Sequence, residues 1–225
     1  MDHLLGGIHQ FHSQAVQRER EFFQQLAEGQ TPSALFISCS DSRVDPSVIT
    51  QAGLGELFVL RNAGNIVPPY GASNGGESAA IEYAVSALGV KDVVVCGHSQ
   101  CGAMKALLEP DSTAKLPLVR AWLSHAEATR RLIEENYPHQ HGDELLEITV
   151  QEHALMQIEN LQTHPCVAAK LQRQELTLHA WVYRLEKGEI LAFSSEQEEF
   201  VPLAADVARA GIAVPETRKR RTNPA

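Results

Sequence analysis

The residues best suited to chemistry are a thiol, a carboxylate and a guanidinium on alternate positions: Cys39, Asp41 and Arg43 in the stretch CSDSR. A second group follows in GHSQCG, which carries His98 and Cys101. Each group sits just beyond a short apolar run, Ala34 to Ser38 in the first case and Asp92 to Cys96 in the second. Such runs read as buried strands. In open α/β sheets, ligands gather at the carboxyl ends of the strands. Two neighbouring parallel strands would therefore bring Cys39, His98 and Cys101 around one point, with Asp41 and Arg43 beside it.

Two cysteines and one histidine form a catalytic zinc set, with three protein ligands and a fourth position left for water or substrate. Thiolates and imidazole both suit zinc. A closed structural zinc knot needs a fourth donor. No second CxxC or HxxxH pair supplies one, and Asp41 is the only nearby candidate. The competing reading makes the cysteines buried apolar residues and His98 a satisfied loop histidine. The joint occurrence of CxDxR and HxxC, each after a strand, favours the metal. The other nine histidines have no ligand spacing with the cysteines, and Cys96 and Cys166 read as buried thiols.

The elements that must hold these groups can be read in order. Residues 3–27 form a helix, with Leu4, Ile8, Phe11, Ala15, Phe22 and Leu26 on one face and Gly29 as its stop. Leu57 to Arg61 is a strand, and Asn62-Ala63-Gly64-Asn65 after it is turn chemistry. Ser73 or Asn74 caps a helix whose inner stripe is Ala79, Ala80, Tyr83, Ala84, Ala87 and Leu88. The Asp92 strand follows. Strand, crossover helix and strand in that order imply parallel pairing. Helices are expected from Cys101 to Leu108, Pro117 to Asn136, Asp143 to Thr163 and Val167 to Gln174. Leu178 to Arg184 and Glu189 to Phe193 form a hairpin around Glu186-Lys187-Gly188. The fold is thus α/β: a mainly parallel central sheet of about four parallel strands plus one antiparallel edge strand, flanked by helices, with an N-terminal helical arm. Residues 1–28 are that arm, 29–205 the zinc domain, and 206–225 a C-terminal extension ending in a basic, disordered tail.

Composition narrows the function further. The formal net charge is −9, from 28 acidic and 19 basic residues, and four of the basic ones are Arg218, Lys219, Arg220 and Arg221. The body of the protein is therefore acidic and a poor partner for nucleic acid. No stretch approaches the roughly 18 apolar residues of a membrane span. The opening MDHLLGGIHQFHSQ lacks the basic and apolar regions of a signal peptide. Four irregularly spaced cysteines suit a reduced cytosolic setting rather than a disulfide scaffold.

CSDSRVDPSVITQ and GHSQCG, with RNAGNIVPPYGASNGGESAAIEYA between them, resemble the β-class carbonic anhydrases, and most of all the cyanobacterial carboxysomal members. That resemblance implies reversible hydration of carbon dioxide to bicarbonate and a proton by zinc-bound hydroxide. Asp41 would accept the hydroxide's hydrogen, and Arg43 would hold Asp41 off the metal; in an inactive state Asp41 becomes the fourth ligand. It also implies that Gln30 hydrogen-bonds substrate, that Phe58, Ala63 and Tyr83 wall the pocket, and that Gly102 offers a backbone N–H. Gln30 and the Phe and Tyr walls would come from a second copy, in a homodimer or dimer-based oligomer joined partly through exchanged N-terminal helices. A cytoplasmic location inside the carboxysome, with a scaffold protein as partner, is implied on the same ground. The same fold also serves carbon disulfide and carbonyl sulfide hydrolases, and a non-catalytic scaffold with a structural metal is the third reading.

Overall fold

The computed structural model describes residues 1–73, 75–203 and 211–212. Its centre is a six-stranded sheet in the order β2-β1-β3-β4-β5-β6. The strands are β1 (Ala34–Cys39), β2 (Leu57–Asn62), β3 (Asp92–His98), β4 (Thr177–Arg184), β5 (Glu189–Ser194) and β6 (Glu199–Pro202). The first four in spatial order are parallel. β5 and β6 are antiparallel.

The sheet therefore has two antiparallel strands at one edge, where the sequence implied one. Glu199–Pro202 is short and ends in proline, which edge strands tolerate because one side of the ladder is unpaired. Its pairing with β5 supplies the order that its composition does not announce.

The helices are α1 (Asp2–Gln10), α2 (Arg20–Glu28), α3 (Pro46–Thr50), α4 (Gly76–Glu82), α5 (Gly102–Leu108), α6 (Pro117–Leu123), α7 (Glu127–Asn136), α8 (Gly142–Gln162) and α9 (Pro165–Gln172). The core lies between the sheet and the crossover helices. Leu35, Ile37, Val93, Val95, Leu178 and Ala180 meet Ile81, Ala84, Val85, Ala154, Ile158 and Leu161, all fully or almost fully buried. Burying side chains of this size contributes about 1.5–3 kcal/mol each. No helix among the described residues is long and apolar enough to cross a membrane.

Several expectations change in detail. The N-terminal helix is not continuous: a wider turn at Phe11–Val16 and a break at Glu19 separate α1 from α2. Ser13 Oγ donates to the His9 carbonyl at 2.8 Å just there, a back-bond that disturbs helix geometry. α4 is capped by Gly75 rather than Ser73, whose hydroxyl instead accepts from the Gly75 N–H at 3.0 Å. Asn74 lies outside the described residues. The buried face beyond it is Ile81, Ala84 and Val85, while Ala79, Tyr83 and Ala87 are exposed. Ile81 and Val85 share the core side with Ala84, leaving Ala79, Ala87 and one tyrosine outward. A tight turn at Ser124–Ala126 splits the long helix expected from Pro117 to Asn136. Cys166 on α9 is half-buried rather than buried.

α1 and α2 bury none of their residues in this chain. Ile8 keeps 63 % of its surface exposed and Phe11 keeps 50 %. The described residues leave the Leu4, Ile8 and Phe11 part of the apolar stripe exposed, while Ala15 and Leu26 are half-buried. The basic tail from Thr217 lies outside the described residues; Ile212 donates its N–H to the Leu178 carbonyl at 2.8 Å.

Candidate metal centre

β1 and β3 are adjacent, with Ser38 level with Cys96. Cys39 and His98, the last residues of these two strands, therefore emerge at the same carboxyl end of the sheet. Cys101 caps α5 three residues later. One donor atom from each of Cys39, His98 and Cys101 lies within 4.8 Å of the others, and all three residues are buried. His98 Nδ1 lies 2.9 Å from the Ser99 carbonyl, which can only accept, so Nδ1 carries the proton. Nε2 is left with a lone pair, buried and without a hydrogen-bond partner. An orphaned imidazole nitrogen facing two sulfurs is what a metal ligand looks like.

The thiols behave as one unit. The Cys101 thiol, as hydrogen-bond donor, holds Cys39 down to about 4, helped by the Gly64 N–H against the opposing effect of burial. The neighbouring Cys39 sulfur and burial push Cys101 well up. Two buried thiolates repel each other unless a cation sits between them. The donor set thus fits a soft divalent ion.

Asp41 lies at the edge of this cluster, with Oδ2 3.8 Å from His98 Nε2. Arg43 grips it with both prongs: Nε to Oδ1 at 2.9 Å and Nη2 to Oδ2 at 2.7 Å. The Arg43 backbone N–H adds a third bond to Oδ1 at 3.0 Å. These bonds hold the Asp41 carboxyl well below the usual carboxylate range. Asp41 keeps 17 % of its side-chain surface exposed, so it is reachable from the site and from solvent.

Arg61 was missed from the sequence. It donates to the Cys39 carbonyl at 3.1 Å and to the Asp41 carbonyl at 2.8 Å, tying β2 to the loop that leaves β1. The available signal was a guanidinium ending the otherwise apolar run LFVLR.

The structure does not bring the whole expected pocket together within one chain. Gly102 adjoins Cys101 at the start of α5, and Ala63 precedes Gly64, whose N–H reaches Cys39 Sγ at 3.4 Å. Phe58, by contrast, pairs with Leu35, four residues before Cys39. At ~3.3 Å per residue that is about 13 Å along the strand. Tyr83 packs on Phe58 with ring centres 6.0 Å apart and stays 49 % exposed. Gln30, exposed, precedes the opposite end of β1. Phe58 and Tyr83 thus pair away from the Cys39 end of the sheet.

Behind the centre, α8 offers a row of polar side chains to the buried loop after β2. Gln157 Oε1 accepts from the Val67 N–H at 2.8 Å, and Asn160 Nδ2 donates to the Val67 carbonyl at 2.9 Å. His153 Nε2 bonds to the Gly64 carbonyl at 2.9 Å and His164 Nε2 to the Pro68 carbonyl at 3.0 Å. A loop with residues 64–68 buried needs these partners. Burial pushes His153 down to about 4, against the raising effects of Gly64 and Cys39. Unfolded, it titrates near 6.5. Between these values the unfolded chain binds more protons. Stability is therefore expected to be full above about pH 6.5 and to fall towards pH 4 by up to about 1.4 kcal/mol per unit from this group. Urea titrations at pH 7, 6 and 5 check this: His153→Gln should have a shallower pH dependence than the wild type, and equal slopes would contradict it.

The structure joins a mainly parallel α/β sheet to a buried cysteine–histidine–cysteine cluster at its strand ends that could hold a metal ion, with an arginine-clamped aspartate beside it. The family model described as carbonic anhydrase matches residues 34–190. A carbonic anhydrase of Synechocystis is 54 % identical over 202 residues, covering 89 % of this chain and 74 % of the relative. The solved structure of the β-carbonic anhydrase CcaA has a TM-score of 0.88 at 53 % identity, covering 90 % of this chain and 99 % of that one. A structure of tetrameric β-carbonic anhydrases from Sordaria macrospora gives 0.76 at 28 % identity, covering 90 % and 98 %. The chain belongs to the carbonic anhydrase family, in its β class.

Proposed function

We propose that the chain is a zinc-dependent enzyme that interconverts carbon dioxide and bicarbonate. The observation that carries this reading is the convergence of Cys39, His98 and Cys101 with an unpartnered His98 Nε2, beside a carboxylate held ready by Arg43. Cys39, His98 and Cys101 would hold the ion. A bound zinc ion supplies Lewis acidity that makes water available as a nucleophile near neutral pH.

The rest of the chemistry belongs to the chain. Asp41 Oδ2 would accept a hydrogen bond from the nucleophile and so leave an oxygen lone pair directed at carbon dioxide. Because Arg43 keeps Asp41 ionised, this acceptor is available across the neutral range. Arg43 also fixes the carboxylate's direction, which keeps Asp41 from becoming a fourth donor. Arg43→Ala is expected to raise the Asp41 pKa and lower turnover about tenfold or more; full activity in a stopped-flow hydration assay would remove the clamp.

Gln30, Phe58 and Tyr83 of a second copy complete the pocket, with Ala63 and the Gly102 N–H from the chain that holds the metal. Support comes from their separation from Cys39 within one chain, from the exposed part of the apolar stripe of α1 and α2, and from the tetrameric relatives. Removing residues 1–28 is expected to yield monomers with little activity, and sedimentation together with the hydration assay measures both.

The resemblance of CSDSRVDPSVITQ and RNAGNIVPPYGASNGGESAAIEYA to the cyanobacterial carboxysomal members supports a place in the carboxysome, releasing carbon dioxide from bicarbonate for fixation beside a scaffold protein. A tagged chain that stays diffuse in a carboxysome-forming host would oppose that placement. The reaction itself is tested by hydration assays on pure protein before chelation, after it, and after zinc is restored. Activity should vanish and return. Parallel assays with carbon disulfide and carbonyl sulfide separate the hydrolase alternative. Equal inactivity on all three substrates with zinc bound would favour the scaffold reading.

A further inference from the structure

We propose that Trp122 and His153 are positioning residues for the Cys39 sulfur, acting through the two peptide groups on either side of Gly64. This rests on the reading of Cys39, His98 and Cys101 as metal ligands.

The Gly64 N–H that donates to Cys39 Sγ at 3.4 Å belongs to the peptide joining Ala63 and Gly64. The carbonyl of that same peptide, on Ala63, accepts from Trp122 Nε1 at 2.8 Å. A hydrogen bond onto an amide oxygen polarises the amide and makes its N–H a stronger donor. Trp122, Ala63, Gly64 and Cys39 therefore form one continuous chain of hydrogen bonds ending on sulfur.

The next peptide is held from the other side. Its carbonyl, on Gly64, accepts from His153 Nε2 at 2.9 Å. A carbonyl cannot donate, so Nε2 carries the proton and Nδ1 accepts from Thr129 Oγ1 at 3.1 Å. Both peptides at Gly64 are thus fixed by side chains from α6 and α8, with α7 supporting the second. Gly64 has φ +86°, and a Cβ there would stand 2.9 Å from Ala103 Cβ. Glycine is required for the N–H to reach the sulfur in this backbone.

The consequence is electronic as well as geometric. Two thiolates cancel the charge of a divalent ion and weaken its Lewis acidity. An N–H aimed at one sulfur withdraws part of that donation. Such bonds around a ligand tune a metal as much as the ligands do.

Cobalt(II) is the probe, because its sulfur-to-metal absorption reports the electron richness of the thiolates. Trp122→Phe keeps the ring and removes the N–H. The cobalt-loaded variant is expected to bind the same amount of metal, keep the wild-type far-ultraviolet circular dichroism, and show the band at longer wavelength. His153→Leu should move the band the same way, while His153→Gln, which keeps an N–H donor, should restore it towards the wild-type position. A band at the wild-type position or at shorter wavelength in the folded Trp122 and His153→Leu variants overturns the proposal. A wild-type protein with no sulfur-to-cobalt band at all overturns instead the ligand reading on which it rests.

Discussion

Cys39→Ser is expected to lose metal and activity together, and the loss should be the largest of any single substitution. Serine nearly matches cysteine in size, so the end of β1 should fold as before. What changes is the donor. A serine hydroxyl stays protonated where the Cys39 thiol is held down to about 4 by Cys101 and Gly64. Zinc and softer ions gain most from thiolate. With the sulfur gone, the remaining pair of donors cannot define a three-ligand site. Turnover should fall by about 10³-fold or more, since the step that makes water nucleophilic is lost. Metal analysis beside the hydration assay measures both. A Cys39→Ser protein that retains a full equivalent of zinc would show that the sulfur is not a ligand.

Asp41→Asn separates binding of the ion from use of it. Asparagine keeps the shape and can still accept from Arg43, but it carries no charge and its NH2 donates where a carboxylate oxygen accepts. Metal content should stay at the wild-type level. Turnover should fall by about 10²-fold or more, because the charged hydrogen-bond acceptor that orients the nucleophile is lost. Affinity for substrate should change less, because nothing places Asp41 in ground-state binding. Unchanged turnover at full metal content would return the Asp41–Arg43 pair to the status of a surface ion pair, worth about 0–1 kcal/mol.

Much of this centre was legible in the linear chain because its parts are short and local. A β strand delivers side chains to a fixed place, so CSDSR after Ala34–Ser38 and GHSQC after the Asp92 run announce both the strands and their exits. The parallel pairing of β1 with β3 then follows from crossover geometry. Long-range polar contacts are harder to read. Nothing in the sequence ties Arg61 to the carbonyls of Cys39 and Asp41, or Trp122 to Ala63. The His153, Gln157 and Asn160 row looks like an ordinary polar helix face, yet it lines a buried loop. The stripe of α4 failed in part for a similar reason. Ala84 is buried as its place in the stripe implied, but Ala79 and Ala87 are exposed, and Ile81 and Val85 take the rest of the face against the sheet. β6 went unread because its order comes from β5 rather than from its own residues.

X-ray absorption at the zinc edge tests the central claim most directly. On freshly purified, active protein, the expected shell is two sulfurs at about 2.3 Å and two nitrogen or oxygen neighbours at about 2.0 Å, in a ratio of one zinc per chain. Full activity in protein free of metal, or a zinc shell containing no sulfur, would contradict a centre made by Cys39, His98 and Cys101.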